Sequence, residues 1–97
     1  MKIVVLAGGL SPERNVSLSS GSKVCQALRD RGHQVALVDL FFGLEDWSGS
    51  EEELYSAPIP EKFKRVARQA PDLNQVRASR KDQGPSAIGR GVLELCA

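Results

Sequence analysis

The run Lys2-Ile3-Val4-Val5-Leu6-Ala7, cut off by Gly8-Gly9, limits most tightly what this chain can fold into. Successive side chains of a strand point to opposite faces, so an unbroken aliphatic run has no face to offer water. It reads as a strand covered on both sides, as in a parallel sheet. A second run from Gln34 to Leu40 passes through Val35, Ala36, Leu37 and Val38 and closes on Asp39. Between the two, Leu18, Gly21, Cys25 and Leu28 recur at three- and four-residue intervals, with Val24 beside them. That spacing predicts a helix within Ser17 to Arg31, with an apolar stripe that includes a close-packing glycine. Arg29 and Arg31 suit its negative carboxyl end, and Gly32 is placed for the left-handed cap. Strand, helix and strand joined by a right-handed crossover make one βαβ unit.

Nothing after Leu40 reads as a third strand. A two-stranded parallel sheet leaves open edges and cannot cover both faces, so the expected fold class is α/β, an incomplete Rossmann-like parallel-sheet domain. Phe41 to Pro60 is acidic and punctuated by Gly43, Gly49, Pro58 and Pro60, mostly loop, with Ser50 and Glu53 spaced as a capping box for one helical turn. Glu61 to Ala70 carries Phe63, Val66, Ala67 and Ala70 on one helical face, and Pro71 stops it. Asp72 to Gly84 is polar without a clear period and reads as linker; Ser86 then caps a last helix striped by Ile88, Val92 and Leu95. The expected organisation is a βαβ unit at 1–40, a variable insertion at 41–86 and a helix at 87–97.

With 97 residues the chain fits one small domain. Thirteen basic against twelve acidic residues give a net charge of +1, which provides no overall field for nucleic acid or an anionic membrane. The first apolar run reaches Gly8-Gly9 too soon for a signal-peptide core, and no stretch approaches the ~18 residues of a spanning helix, so a cytoplasmic location is expected. Cys25 and Cys96 are too few for a disulfide framework and read as reduced, half-buried helix residues. Asn15-Val16-Ser17 matches a glycosylation acceptor only in a secreted protein.

Ligands of open parallel sheets gather beyond the carboxyl ends of the strands, which directs attention to Gly8-Gly9-Leu10-Ser11-Pro12-Glu13-Arg14-Asn15-Val16-Ser17. Ser11 followed by Pro12 suits a helix cap and first position, so the helix begins at Ser11 or only at Ser17. In both cases Glu13 stands at a helix entrance, where the macrodipole favours a carboxylate. It is either a dipole-matching surface residue or the partner of an incoming ammonium group. Val16 is either a pocket wall or an apolar staple. Ser17, Ser19 and Ser20 are not nucleophile candidates, because the only histidine, His33, lies at the far end of the helix.

Gly8, Gly9, Ser11, Glu13, Arg14, Val16, Ser17, Leu18, Ser20 and Gly21 together form Gly-Gly-x-Ser-x-Glu-Arg-x-Val-Ser-Leu-x-Ser-Gly. This pattern resembles the first motif of the D-alanine–D-alanine ligases, which belong to the ATP-grasp enzymes. The likeness is firm over residues 1–40 and weak beyond, and Gly89 to Ala97 is similar to the helix preceding that family's His-Gly-x-x-Gly-Glu-Asp-Gly segment. The resemblance implies the amino-terminal part of an enzyme that phosphorylates a D-alanine carboxylate with ATP. The amine of a second D-alanine then attacks the acyl phosphate, giving a dipeptide for peptidoglycan. It assigns Glu13, as catalytic and substrate-binding residue, to the ammonium group of the first D-alanine, and Val16 to its methyl group. It further implies ATP and Mg2+ or Mn2+ held by domains outside this chain, a homodimer for the full-length enzyme, and a fragment inactive alone. The choice between D-alanine and D-lactate as second substrate is set outside residues 1–97.

Two other functions compete. A dinucleotide-binding domain would share the strand, the glycines, the helix and the acidic strand end. However, G-x-G-x-x-G is missing, and Glu13 with Pro12 stands where a pyrophosphate would sit. Asp39 then reads as a strand-end residue bound to water or a neighbouring turn. A basic binding module would use Lys62, Lys64, Arg65, Arg68, Arg77, Arg80, Lys81 and Arg90 toward RNA, though only Phe63 there is aromatic. Gly21-Ser22-Lys23 has the wrong order for a Walker motif, and one histidine with two isolated cysteines makes no metal site.

Overall fold

A computed structural model describes residues 1–64, 71–81 and 83–97. Its elements are β1 (Lys2–Ala7), α1 (Arg14–Asp30), β2 (Gln34–Asp39), α2 (Glu51–Leu54), α3 (Glu61–Lys64), α4 (Leu73–Ser79) and α5 (Val92–Cys96). β1 and β2 pair in parallel with Lys2 opposite Gln34 and Ala7 opposite Asp39, so both strands end level, at the same edge of the sheet. The fold is α/β with a parallel sheet, as the sequence implies.

The two faces of the sheet are covered by different parts of the chain. On one, α1 lies so close that a Cβ on Gly21 would stand 2.8 Å from the Cβ of Ala7 and 3.3 Å from Leu37 Cδ1. On the other, Ala36 and Val38 pack with Leu54, Tyr55, Val92 and Leu95, and Val4, Leu40, Leu44 and Trp47 border the cluster. β2 thus finds cover on one face from α1 and on the other from residues of the 41–97 stretch, which the strand count alone did not anticipate. β1 is less well covered: Leu6 is 44% exposed. Gly32 closes α1 at φ 90°, in the left-handed conformation expected of it.

Several local expectations change. α1 begins at Arg14, between the two predicted starts, because Ser11 Oγ accepts from the Glu13 N–H at 3.1 Å and Ser11 O from the Arg14 N–H, forming a turn that feeds the helix. Residues 73–79, read as linker, form α4: Asp72 accepts from the N–H groups of Asn74 and Gln75, satisfying two donors that would otherwise lack partners. The last helix is shorter than predicted. Ser86 Oγ binds Ile88 N–H and O in a local turn, Gly91 takes φ 82°, and α5 starts only at Val92, leaving Ile88 39% exposed outside the stripe. The cysteines are unalike rather than both half-buried: Cys25 is fully buried and Cys96 exposed, and both are free. α2 follows the predicted cap, with Ser50 Oγ accepting from Glu53 N–H at 3.2 Å. α3 covers Glu61–Lys64 of the helix expected to reach Ala70; Arg65, Val66, Ala67, Arg68 and Ala70 lie outside the described residues.

Candidate functional site

β1 releases the chain at Gly8 and Gly9, both at positive φ (73° and 84°), where glycine lacks the Cβ that penalises other residues. The loop is then tied down atom by atom. The Gly8 N–H donates to Ser17 Oγ at 3.0 Å, and the Gly9 N–H donates to Asp39 Oδ1 at 3.3 Å. Arg14, first residue of α1, turns its side chain under the loop. It donates from Nη1 to the Gly9 carbonyl at 2.6 Å and from Nη2 to Asp39 Oδ2 at 2.5 Å. Both side chains of this ion pair are buried, 8% and 6% exposed. Asp39 Oδ1 accepts as well from the N–H groups of Phe41 (3.0 Å) and Phe42 (3.4 Å), so the carboxylate has no unmet acceptor duty on its strand side.

The Arg14 guanidinium also lies 5.4 Å from the Phe42 ring centre, and Phe42 meets Phe41 edge to face at 5.3 Å. Arg80 stacks on the far side of that pair, 4.0 Å from the Phe41 ring centre, and donates to the Phe41 and Gly84 carbonyls. Two arginines therefore bracket two phenylalanines directly after β2. Arg80 is 3% exposed, which removes it from the basic surface predicted around residues 61–90. Lys64 pairs with Glu61 and Lys81 with Asp46, so that surface is further neutralised.

Glu13 is exposed at the start of α1, past the carboxyl end of β1. Its N–H is held by Ser11 Oγ and its carbonyl accepts from the Ser17 N–H at 2.9 Å, so the backbone on both sides of the side chain is fixed. Val16 is 48% exposed rather than packed as a staple. A groove of about 500 Å³ opens beside the carboxyl end of β2, among Arg14, Leu18, Asp39, Phe42, Trp47 and Phe63. Neither Glu13 nor Val16 lines it. The Arg14–Asp39 pair is the site feature that sequence reasoning missed. Its signal was two opposite charges flanking the carboxyl ends of neighbouring strands, but residues 25 apart are not linked by any local period.

These bonds bear on nucleotide binding. A phosphate cradle needs free backbone N–H groups, yet those of Gly8, Gly9 and Glu13 are already engaged, and the Glu13 carboxylate would repel the phosphate. Asp39 is turned inward on Arg14 and so does not reach out for a ribose hydroxyl. Among the described residues there is no group of three or more His, Cys, Asp or Glu side chains that could hold a metal ion. The exposed Glu13 carboxylate therefore disfavours a phosphate at this loop and suits a small cation.

These elements define a parallel α/β unit with a pinned glycine loop and an acidic helix entrance. No family model matches the chain. It is 38% identical over 96 residues to a D-alanine–D-alanine ligase of Pediococcus pentosaceus, an alignment covering 98% of this chain and 27% of that protein. The ligase of Lacticaseibacillus casei is 35% identical over 96 residues, covering 99% and 27%. That of Coprothermobacter proteolyticus reaches 59% over 39 residues, 40% of this chain and 13% of that protein. The chain corresponds to the amino-terminal part of the D-alanine–D-alanine ligases, and it spans 27% of the length of the whole-chain relatives it matches.

Proposed function

We propose that this chain forms one wall of the first D-alanine site of an ATP-dependent D-alanine–D-alanine ligase that serves peptidoglycan synthesis in the cytoplasm. Glu13 holds the substrate ammonium group by a charge-assisted hydrogen bond, and Val16 borders its methyl group. The observation that carries this reading is the exposed Glu13 carboxylate on a rigidly bonded helix entrance, beyond the carboxyl end of a parallel strand. Support also comes from relatives of that name, aligned with 98% of the chain. In this reading ATP and Mg2+ or Mn2+, which supply the acyl-phosphate chemistry, are held by domains outside the chain. In the same reading the complete enzyme is a homodimer. No helix among the described residues is long and apolar enough to cross a membrane.

A chimaera tests this directly. Residues 1–97 replace the corresponding segment of the Pediococcus pentosaceus ligase, and dipeptide formation is followed with ATP and D-alanine. The expected result is D-alanine-dependent phosphate release with dipeptide as product. A soluble chimaera that binds ATP but forms no dipeptide contradicts the proposal.

A further inference from the structure

We propose that Arg14, with Asp39 as its counter-ion, is a positioning residue that sets where Glu13 presents its carboxylate. This rests on the reading of Glu13 given above and deepens it. The Glu13 side chain makes no capping bond of its own, so its direction follows from the backbone that carries it. The next residue is Arg14, whose guanidinium reaches three separate parts of the chain: the Gly9 carbonyl, the Asp39 carboxylate and the Phe42 ring. Asp39 repeats this from the other side, accepting from Gly9, Phe41 and Phe42. One ion pair thus joins the loop after β1, the end of β2, the turn beyond it and the first residue of α1.

The arrangement requires arginine in particular. Two diverging donors serve acceptors on different segments while the flat cation faces an aromatic ring; an ammonium group at the same place reaches one acceptor well. A buried ion pair is a poor source of net stability compared with apolar packing, because both charges lose their water. What it supplies is direction: the Gly9 carbonyl and Asp39 must keep their places for the guanidinium to be satisfied. Gly8 is caught in the same clamp, since a Cβ there would stand 3.0 Å from the Asp39 carboxylate. The pair touches no substrate in this account and acts through the loop and the helix entrance.

The test uses Arg14→Lys and Asp39→Asn, each in the 97-residue chain and in the chimaera, with Glu13→Gln as reference. In the chain, amide hydrogen exchange at Gly9 should quicken about tenfold or more in both variants while β1 amides keep their rates. In the chimaera, assayed below its unfolding transition, the KM for the first D-alanine should rise about ten- to a hundredfold with the KM for ATP unchanged, while Asp39→Asn, which leaves the Arg14 charge buried without its partner, lowers the unfolding midpoint. Unchanged exchange at Gly9 in both variants overturns the clamp. So does a D-alanine KM that stays within about twofold, or one that rises together with the ATP KM, which marks a merely structural role. If Glu13→Gln leaves the D-alanine KM untouched, the assignment of Glu13 fails and the positioning role of Arg14 with it, whereas a raised KM in Glu13→Gln but not in Arg14→Lys overturns the clamp alone.

Discussion

Replacing Gly21 by alanine sets two known effects against each other inside α1. Alanine is the better helix former by about 1 kcal/mol, so on propensity alone the variant gains stability. The new methyl group, however, would stand 2.8 Å from the Cβ of Ala7 and 3.3 Å from Leu37 Cδ1, with Val5 Cγ1 at 3.7 Å. The Leu37 methyl can swing aside, but the Ala7 Cβ is fixed to the backbone of β1, so relief requires the helix or the strand to move. Overpacking of this kind costs roughly 1–3 kcal/mol, and the immobile neighbour places Gly21 in the upper half of that range. The expected net loss is therefore about 1–2 kcal/mol. For a chain of this size each kcal/mol lowers the unfolding midpoint by roughly 4–8 °C. Urea titration and thermal melting of the 97-residue chain give the value. A Gly21→Ala variant as stable as the parent, or more so, would refute the close packing of α1 on β1.

Other outcomes follow from single contacts. Gly8→Ala forces a side chain into the left-handed region, at roughly 1–2 kcal/mol, and pushes on the Asp39 carboxylate, so the melting point should fall and the Gly9 amide lose protection. Asp72→Ala removes the cap bonds to Asn74 and Gln75 and should cost about 1 kcal/mol of α4 stability, seen as lost helical circular dichroism, with D-alanine kinetics of the chimaera unaffected. Burial pushes the Cys25 thiol pKa up, only partly opposed by Arg29. The native state therefore keeps that proton longer than the unfolded chain, and stability should fall as pH rises past the unfolded value of about 8.5. Urea midpoints at pH 7 and above pH 9 test this, and Cys25→Ala should abolish the drop. Thiol reagents should label exposed Cys96 first and reach Cys25 only on unfolding.

What the sequence made legible was whatever a short period or a cap encodes. The apolar runs placed β1 and β2 within a residue of their observed ends, Gly32 and Ser50 took the caps their positions suggested, and Gly21 proved to be a contact rather than a flaw in the helix. α4 escaped notice because its apolar positions, Leu73 and Val76, are too few to make a stripe, although Asp72 before them was a usable cap signal. The last helix was over-extended for the opposite reason: Ile88 fits the stripe in spacing, but the left-handed backbone at Gly91 breaks the helix between them. In the stretch read as loop, Phe41 is wholly buried, held by its position after β2 and by Arg80, which no periodicity connects to it. The motif around Glu13 was readable as a string of residues. The bonds that hold it were not, because Arg14 to Asp39 and Gly9 to Asp39 form only once β1 and β2 lie side by side.

In the proposed site the Glu13 carboxylate grips the amine of the first substrate. Steady-state kinetics of the Glu13→Gln chimaera, with D-alanine and ATP varied separately, tests it most directly. The expected result is a raised KM for the first D-alanine with the ATP KM unchanged. Loss of ATP affinity with D-alanine affinity intact would contradict it.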